Sequence, residues 1–330
     1  MSVAIEQVTS QREQGPLRAM FISQPFWVSI ALVVICVVMS QISNVFFTQD
    51  NFFNVTRNFA FIGILAMGMT AVIITRGIDL SVGSVVGVSG IVTAMVLFAG
   101  HSVWVGVGAG LLAGLVCGFV NGFLIAYMNL SSFIVTLGMF AVARSLAQVL
   151  SENHMIYQFG PDEKLFTEIG GGMIFGVANP FLILLVLTIV FMIAFRYSAW
   201  GRWVYAIGGN EQAARLTGVP VNRVKLSVYM LSGLMSGITA VLLVGWQGAA
   251  INAMGTGYEL RAIASSVIGG TDLMGGAGGA YGAFIGAALI EVIRNSLLLA
   301  GVDANWEGTF VGLFIVFAVM LSKFRGMRSR

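Results

Sequence analysis

The feature that most limits what this chain can fold into is an alternation of long apolar runs with short polar connections. About 20 apolar residues in a helix cross the ~30 Å hydrocarbon core of a bilayer, where only helices and closed barrels pair all their backbone groups. Ten runs follow one another, and the eighth is short: 26–46, 58–75, 82–99, 103–127, 132–150, 177–195, 226–247, 261–273, 280–300 and 307–322. The alternation predicts an all-α polytopic membrane protein with about ten transmembrane helices.

The composition excludes a soluble domain beside these runs. Of the 330 residues, 58% are hydrophobic and only 9% are charged, whereas soluble domains carry about 25% charged residues. We therefore predict a cytoplasmic N-terminal tail (1–24), a single transmembrane domain (25–324) and a cytoplasmic C-terminal tail (325–330). Within the domain, 196–225 is expected as a cytoplasmic loop and 151–179 as an external loop.

The placement of basic residues predicts the orientation, because cytoplasmic loops of membrane proteins collect lysine and arginine. With both termini in the cytoplasm, which requires an even number of crossings, 12 of the 17 basic residues fall inside: Arg12, Arg18, Arg76, Arg196, Arg202, Arg215, Arg223, Lys225, Lys323, Arg325, Arg328 and Arg330. The external segments then hold Arg57 and Lys164 and gather acidic residues, Glu259 among them. For the external loop we expect part of an outer vestibule, and an ordinary connecting loop is the open alternative.

Two groups of glycines carry different predictions. Gly106, Gly110, Gly114, Gly118 and Gly122 recur every four residues, with Gly108 beside them, and this spacing puts a smooth strip on one helix face for close packing. The segment Gly269–Gly279 follows a run too short to cross the bilayer. It predicts a broken helix beside a pathway, since non-helical backbone at that depth needs protein or water next to it.

The pattern Gly-x-Asp-Leu occurs twice, and its two aspartates are candidate gate or pathway residues. Asp79 lies with Ser81 before the third run, and Asp272 lies in the glycine-rich segment. Capping of the third helix by Asp79 and Ser81 is the leading interpretation. A part in the pathway or its gate is compatible with it, because both sites lie at predicted cytoplasmic ends.

Ionisable side chains within spans are costly and normally have a partner or a function. Glu291 and Arg294 lie one turn apart and are expected to pair, and Arg144 is a third ionisable side chain within a span. Uncharged polar side chains in the spans are either candidate pathway residues or helix-to-helix hydrogen bonds: Asn121, Ser145, Gln148, Gln247, Asn252 and Asn295. Trp246 is either a surface for stacking a sugar or an interfacial anchor.

Motifs for catalysis and nucleotide binding are missing from the sequence. It contains neither Gly-x-x-x-x-Gly-Lys-[Ser/Thr] nor His-Glu-x-x-His, and its two cysteines and two histidines have no metal-ligand spacing. We therefore expect no enzymatic activity, no cofactor and no nucleic-acid partner for this chain. If ATP drives the protein, ATP and Mg²⁺ are bound by another subunit.

The basic segment 196–225 predicts a short exposed helix from residue 211 to residue 216. Asn210 is a suitable N-cap, Glu211 favours the positive start of a helix, Gly218 can end it and Pro220 prevents its return. A basic cytoplasmic segment with one stiff helix is typical of a docking site for another protein. A helix resting on lipid headgroups is the alternative.

Together with Arg76–Gly83 and Ile268–Gly279, this segment resembles the permeases of ribose-type ABC sugar importers, a group similar to the branched-chain amino-acid permeases. The resemblance covers residues 50 to 320. It implies that the segment is a coupling helix docking on an ATP-binding subunit, with these positions in the contact: Glu211, Ala213, Ala214, Arg215, Leu216 and Gly218. It further implies a second permease subunit, identical or different, an extracytoplasmic sugar-binding protein, and a bacterial inner membrane whose lipid surrounds the protein.

The resulting hypothesis is a permease subunit that passes a monosaccharide, such as a ribose-like pentose, a hexose or a polyol, inward by alternating access. An ABC permease for branched-chain amino acids or another small solute has the same architecture and stays open. An ion-coupled secondary transporter is the alternative from a different class, and a membrane enzyme has no supporting constellation.

Overall fold

The computed structural model describes residues 23–303, 306, 308–309 and 312–313. These residues form helices separated by short connections: α1 (Gln24–Ile42), α2 (Gln49–Ile74), α3 (Val82–Phe98), α4 (Val103–Ala126), α5 (Ser132–Leu150), α6 (Glu163–Gly171), α7 (Asn179–Tyr197), α8 (Ala199–Gly209), α9 (Glu211–Leu216), α10 (Val221–Gln247), α11 (Tyr258–Ile268) and α12 (Ala280–Leu299). A 3-10 turn, Gly160–Asp162, and two short strands, β1 (Met173–Ile174) and β2 (Val177–Ala178), complete the described part.

Seven of these helices are long and apolar enough to cross a membrane: α1, α2, α4, α5, α7, α10 and α12. Helix α3 is apolar but has only 17 residues, and α11 has 11. Most of the tenth apolar run, 307–322, lies outside the described residues, as do 1–22 and the predicted C-terminal tail. The described part is thus mostly helical, as predicted, with two short helices among long ones.

Local signals place the helix ends. The side chain of Thr48 accepts the backbone N–H of Asn51 at the start of α2, and that of Ser198 accepts the N–H of Gly201 at the start of α8. Gly248 ends α10 with φ +65°, a left-handed conformation that glycine adopts without steric cost. These caps satisfy backbone groups that a helix terminus leaves unpaired.

The helices run between two ends of one bundle, which we call the α9 end and the α6 end. Helix α10 starts beside α9, and its last turn contacts α6 through Gly245 and Gly170. Helix α2 ends at the α9 end, where Ile74 accepts a hydrogen bond from Gly276. Several basic residues that the orientation argument grouped together also lie at the α9 end: Arg76, Arg202, Arg215, Arg223 and Lys225.

Helices α2 and α10 form the centre of the bundle, and α1 lies at its periphery. The glycine strip of α4 packs against α10 and α3, as predicted. A Cβ on Gly114 would meet the carbonyl oxygen of Gly233, and one on Gly122 would lie 2.9 Å from that of Leu226. A Cβ on Gly108 would meet nothing within 4 Å. The strip therefore allows backbone contact between two antiparallel helices, and Gly108 is not part of it.

The chain is broken where the glycine-rich segment predicted a break. Helix α10 ends at the α6 end, and residues 248–257 return into the bundle without helical structure before α11 begins beside Gly83. Helix α11 then reaches the α9 end, and the chain is non-helical from Gly269 to Gly279. A helix of 11 residues spans about 16 Å, which is half of a bilayer core.

Two features differ from the sequence expectations. Residues 151–179, expected as an external loop, contain helix α6 and a hairpin of β1 and β2, so the fold is not strictly all-α. Phe175 and Gly176 take φ values of +54° and +76° in its two-residue turn, as hairpin turns require. Residues 199–209, expected as loop, form helix α8.

Candidate functional site

A network of buried polar side chains lies where α2 ends and α3 begins. Oδ1 of Asp79 accepts hydrogen bonds from the backbone N–H of Ser81 (3.0 Å) and from its hydroxyl (2.6 Å). Oδ2 of Asp79 accepts the hydroxyl of Ser232 on α10 (2.8 Å). The amide of Asn121 on α4 donates to the Ser81 hydroxyl at 3.0 Å. The network therefore connects the start of α3 to α10 through Asp79 and to α4 through Ser81.

This carboxylate is enclosed by the bundle, since Asp79 is only 2% exposed and Ser81 and Asn121 are each 1% exposed. Within the described residues its hydrogen-bond partners are hydroxyl and backbone N–H groups. A buried carboxylate is costly unless it is hydrogen-bonded. Loss of the Ser81 or the Ser232 hydroxyl would leave an oxygen of the Asp79 carboxylate with fewer donors. Because these hydrogen bonds are needed in the buried site, they hold α3, α4 and α10 in fixed relative positions.

The capping prediction for the third helix is correct for Asp79 and wrong for Ser81. Asp79 accepts the N–H of Ser81 just before the helix, while the Ser81 hydroxyl makes no cap hydrogen bond. The reason is competition: that hydroxyl donates to Asp79 and accepts from Asn121. The hydroxyl of Tyr229 on α10 is close by, because a Cβ on Gly77 would collide with it.

A second group of polar side chains, Arg144 and Glu259, lies inside the bundle. Arg144 of α5 donates to the carbonyl oxygens of Asn252 and Met254, the latter at 2.9 Å. The carboxylate of Glu259, in the first turn of α11, lies against Gly83 near the start of α3. Glu259 was expected in an external segment. That assignment is wrong because residues 248–257 re-enter the bundle and carry it inward.

The other predicted pathway residues lie apart from the Asp79 network. The amide of Asn295 exchanges hydrogen bonds with Asn51 of α2 at 2.8 and 3.1 Å, so it joins two helices. Asp272 is exposed at the α9 end and accepts the N–H of Met274. Gln247 is exposed at the α6 end. Asn252 lies in the re-entrant segment and donates to Asn153 at 2.7 Å.

The ring of Trp246 contacts a cation and another aromatic ring. The guanidinium of Arg57 lies 4.2 Å from the centre of its ring, and Phe61 packs against it at 5.7 Å between centroids. Such a cation–π contact is a stabilising interaction in its own right. The predicted pair within the ninth run is present, since Nε of Arg294 lies 3.3 Å from the carboxylate of Glu291.

Helix α9 forms an exposed feature at the α9 end. The side chain of Asn210 accepts the N–H of Ala213 at 3.0 Å, and Gly218 follows the helix with φ +84°. The predicted bounds, 211 and 216, are those of the structure. Ala214 is buried against the protein, whereas the side chain of Leu216 is 89% exposed. The helix thus presents an apolar side chain to the surroundings from a capped, compact turn.

Charge pairs fasten α9 to the start of α10. Glu211 accepts from Lys225 at 2.6 Å and from Arg215 at 3.3 Å, and Arg215 also donates to Asn222. Burial alone would raise the pKa of Glu211, but the hydrogen bonds and charges of Lys225 and Arg215 lower it below its usual value. The carboxylate is therefore ionised near neutral pH, and the short helix is held at both its ends.

A comparison with known protein families covers both the Asp79 network and helix α9. The family model described as "Branched-chain amino acid transport system / permease component" matches residues 51–319, which include the Asp79 network and helix α9. The chain belongs to this permease family. The match therefore covers both the buried network and the exposed helix of one permease.

Individual relatives are similar over most of their length. The permease is 38% identical over 281 residues to the probable ABC transporter permease protein y4mJ of Sinorhizobium fredii, covering 84% of this chain and 83% of that one. It is 36% identical to the ribose import permease protein RbsC of Escherichia coli K12, covering 88% and 91%. The L-arabinose transport system permease protein AraH of the same strain is 34% identical, with 81% of each chain covered.

Sequence reasoning missed three participants in these groups. Ser232 and Tyr229 lie in an apolar run with no local signal, and only the packing of α10 brings them to Asp79. Glu259 had a signal: it precedes a short apolar run, and an acidic residue in a first turn marks a helix start. The start of a half-helix inside the bundle could have been inferred from that position.

Proposed function

We propose that the permease is the membrane-spanning subunit of an ATP-driven importer of a monosaccharide in a bacterial inner membrane. The names of the relatives support this, since two of them are named as permeases for ribose and L-arabinose. The chain itself supplies no ATP hydrolysis. Its role is to provide the route across the membrane and the surface on which an ATP-binding subunit acts.

Helix α9 is the observation that carries this proposal. Leu216 is exposed at the tip of a helix that is capped and ion-paired, so the helix holds an apolar side chain in a fixed position where a docking subunit can cover it. Rigid presentation lets a docking subunit displace the helix as a unit instead of unfolding it. Glu211, Ala213, Arg215 and Gly218 are proposed to frame this contact, with buried Ala214 anchoring the helix beneath it.

The α9 end is then cytoplasmic, with both chain termini on that side. Its basic residues agree with the positive-inside rule, and the α6 end faces the sugar-binding protein. A cleft of about 420 Å³ opens at the α6 end between the ends of α3 and α5 and residues 151–158. We assign this face, with Gln247 and Asn252 near it, to the outer vestibule.

The Asp79 network is proposed as part of the inner gate. It lies at the non-helical break between α2 and α3 and ties that break to α4 and α10. Breaking or forming these hydrogen bonds would allow the three helices to change their relative positions. Asp272 belongs to the surface of the same end, and Asn295 is assigned a structural role with Asn51.

Two other functions compete with this one. An importer of branched-chain amino acids or another small solute has the same architecture, and the description of the family includes that cargo. The sugar permeases among the relatives favour a sugar. An ion-coupled secondary transporter is less favoured by the two buried carboxylates, because Asp79 accepts three hydrogen bonds and Glu291 is paired with Arg294.

Further partners follow from the importer architecture. We propose a second permease subunit of the same or a related chain, two ATP-binding subunits and an extracytoplasmic sugar-binding protein, with membrane lipid around the permease subunits. The identity of the sugar is decided by a binding measurement on the sugar-binding protein with a panel of pentoses, hexoses and polyols.

The test of docking compares two exposed apolar side chains. Leu216→Glu is expected to abolish co-purification of the ATP-binding subunit, because it places a charge in an apolar contact. Phe175→Glu, at the fully exposed hairpin tip of the opposite end, should leave co-purification unchanged. Equal recovery of the ATP-binding subunit with both variants would refute docking at α9.

A further inference from the structure

An arginine, Arg76, follows the C-cap of α2 at a position where the backbone favours glycine. The N–H groups of Arg76 and Gly77 donate to the carbonyls of Ile73 and Val72, which is the Schellman pattern, and it puts Arg76 at a φ of +63°. A side chain in this conformation costs roughly 1 kcal/mol or more, which glycine avoids. The arginine therefore needs a reason other than ending the helix.

Its side chain supplies one, because it binds the end of another helix. Nε of Arg76 donates to the carbonyl oxygen of Gly208, and Nη2 donates to that of Gly209, both at 2.7 Å. These are the last two residues of α8, whose carbonyls lack intrahelical partners and form the negative end of the helix dipole. The planar guanidinium presents two N–H donors in a fixed fork that suits two adjacent carbonyls, whereas lysine offers one compact ammonium on a flexible stem.

The glycine-rich segment joins the same place. Gly276 donates its N–H to the carbonyl of Ile74 at 2.9 Å, and the hydroxyl of Tyr205 on α8 donates to the carbonyl of Gly278 at 2.9 Å. A Cβ on Gly208 would collide with the carbonyl of Ile74 and the backbone of Gly276. We call this meeting of α2, α8 and the glycine-rich segment the Arg76 junction.

The Arg76 junction lies between helix α9 and two non-helical connections of the bundle. One of these joins α2 to α3, and the other joins α11 to α12. On one side, α8 leads through Asn210 directly into α9. On the other side, Arg76 is three residues from Asp79, and Gly276 and Gly278 belong to the connection between α11 and α12. A displacement of α8 therefore pulls on both non-helical segments through hydrogen bonds and not through the flexible chain alone.

We propose that Arg76 is the positioning residue that transmits movement of the docking helix to the two non-helical membrane segments. It touches neither sugar nor nucleotide and acts through the carbonyls of Gly208 and Gly209. This inference rests on the proposed function, since it assigns the step between ATP-driven movement at α9 and the gate. It gives a functional reason for an arginine at a strained backbone position.

The test uses the complex of permease and ATP-binding subunit, reconstituted in proteoliposomes with its binding protein. Arg76→Gly is suited to it because glycine fits the left-handed backbone and removes only the side chain. We expect unchanged assembly and thermal stability, ATP hydrolysis within about 2-fold of the parent, and sugar uptake reduced at least 10-fold. Arg76→Lys should recover part of the uptake, because an ammonium can bind one of the two carbonyls.

Two further variants keep the result decisive. Tyr205→Phe removes one hydroxyl bond of the junction and should lower uptake per ATP hydrolysed, by a smaller factor. Arg202→Gln is the matched control, because it removes another arginine of α8. Arg202 donates to the carbonyl of Tyr197 at 3.3 Å, and this hydrogen bond involves neither of the two non-helical connections. The variant should leave the uptake per ATP unchanged.

The proposal is overturned if Arg76→Gly retains full uptake, or if an assembled Arg76→Gly complex loses uptake and ATP hydrolysis by the same factor, since uptake per ATP is then unchanged. If Arg76→Gly does not assemble, an unchanged uptake per ATP in Tyr205→Phe overturns it as well. Failure of the proposed function looks different, because the parent complex would then show no ATP-dependent uptake at all.

Discussion

Replacing Gly118 by alanine tests the packing that holds the Asp79 network together. A Cβ at this position would collide with the carbonyl oxygen of Tyr229 and would lie 3.0 Å from Cα of Met230 and 3.1 Å from the carbonyl carbon of Tyr229. These neighbours are backbone atoms, which cannot rotate away, so α4 and α10 must move apart. Ser232, the partner of Asp79, is less than one turn from Tyr229.

The expected cost follows from comparison with a second glycine of α4. Gly108→Ala adds a Cβ with nothing within 4 Å, and alanine gains up to about 1 kcal/mol of helix propensity over glycine. Gly118→Ala has the same gain, but overpacking typically costs about 1–3 kcal/mol. We therefore expect Gly118→Ala to be less stable than Gly108→Ala by about 1–3 kcal/mol.

Reversible unfolding in mixed micelles, followed by circular dichroism as the fraction of denaturing detergent rises, measures this difference. Sugar uptake should fall in Gly118→Ala and stay near the parent value in Gly108→Ala. A Gly118→Ala protein as stable as the Gly108→Ala protein would refute the claim that backbone contact along the strip positions α10.

Three further predictions follow. Asn210→Ala removes the cap of α9 and should cost about 1 kcal/mol of local helix stability, seen as weaker binding of the ATP-binding subunit in a titration; unchanged affinity would contradict it. Lys225 helps to lower the pKa of Glu211, so the ionised carboxylate stabilises the folded protein above pH ~4.3, and this stabilisation is lost as the pH falls through the lowered pKa. Glu211→Gln should therefore be slightly less stable than the parent at pH 7 and equally stable in acid. A difference in melting temperature that does not change with pH would count against this. Asn295→Ala should lower stability through loss of its bonds to Asn51 while the ranking of transported sugars stays the same, and a changed ranking would place it in the pathway.

Local signals were sufficient for much of the fold. The cap at Asn210 and the glycine at 218 determine helix α9 from neighbouring residues alone, and the four-residue spacing of glycines in α4 gives its packing face. The broken helix was also predictable, because a run too short for the bilayer followed by Gly269–Gly279 leaves few alternatives.

Contacts between distant segments were not predictable in this way. Asp79 and Ser232 are 153 positions apart, and an apolar run gives no indication of which hydroxyl will meet the carboxylate. Glu259 was misplaced because hydropathy assigns polar loops to a membrane surface, whereas residues 248–257 re-enter the bundle. Helix α8 was missed because its glycines argue against a helix, although they permit the close approach of Gly208 to Ile74.

ATP-dependent uptake is the measurement that tests the central claim most directly. Proteoliposomes containing the permease and its ATP-binding subunit, with the sugar-binding protein on the outside and ATP enclosed, are given radiolabelled ribose or L-arabinose. We predict uptake that requires enclosed ATP, is lost with Leu216→Glu and survives dissipation of ion gradients by ionophores. Uptake that continues without ATP and collapses when the ion gradient is removed would contradict the assignment.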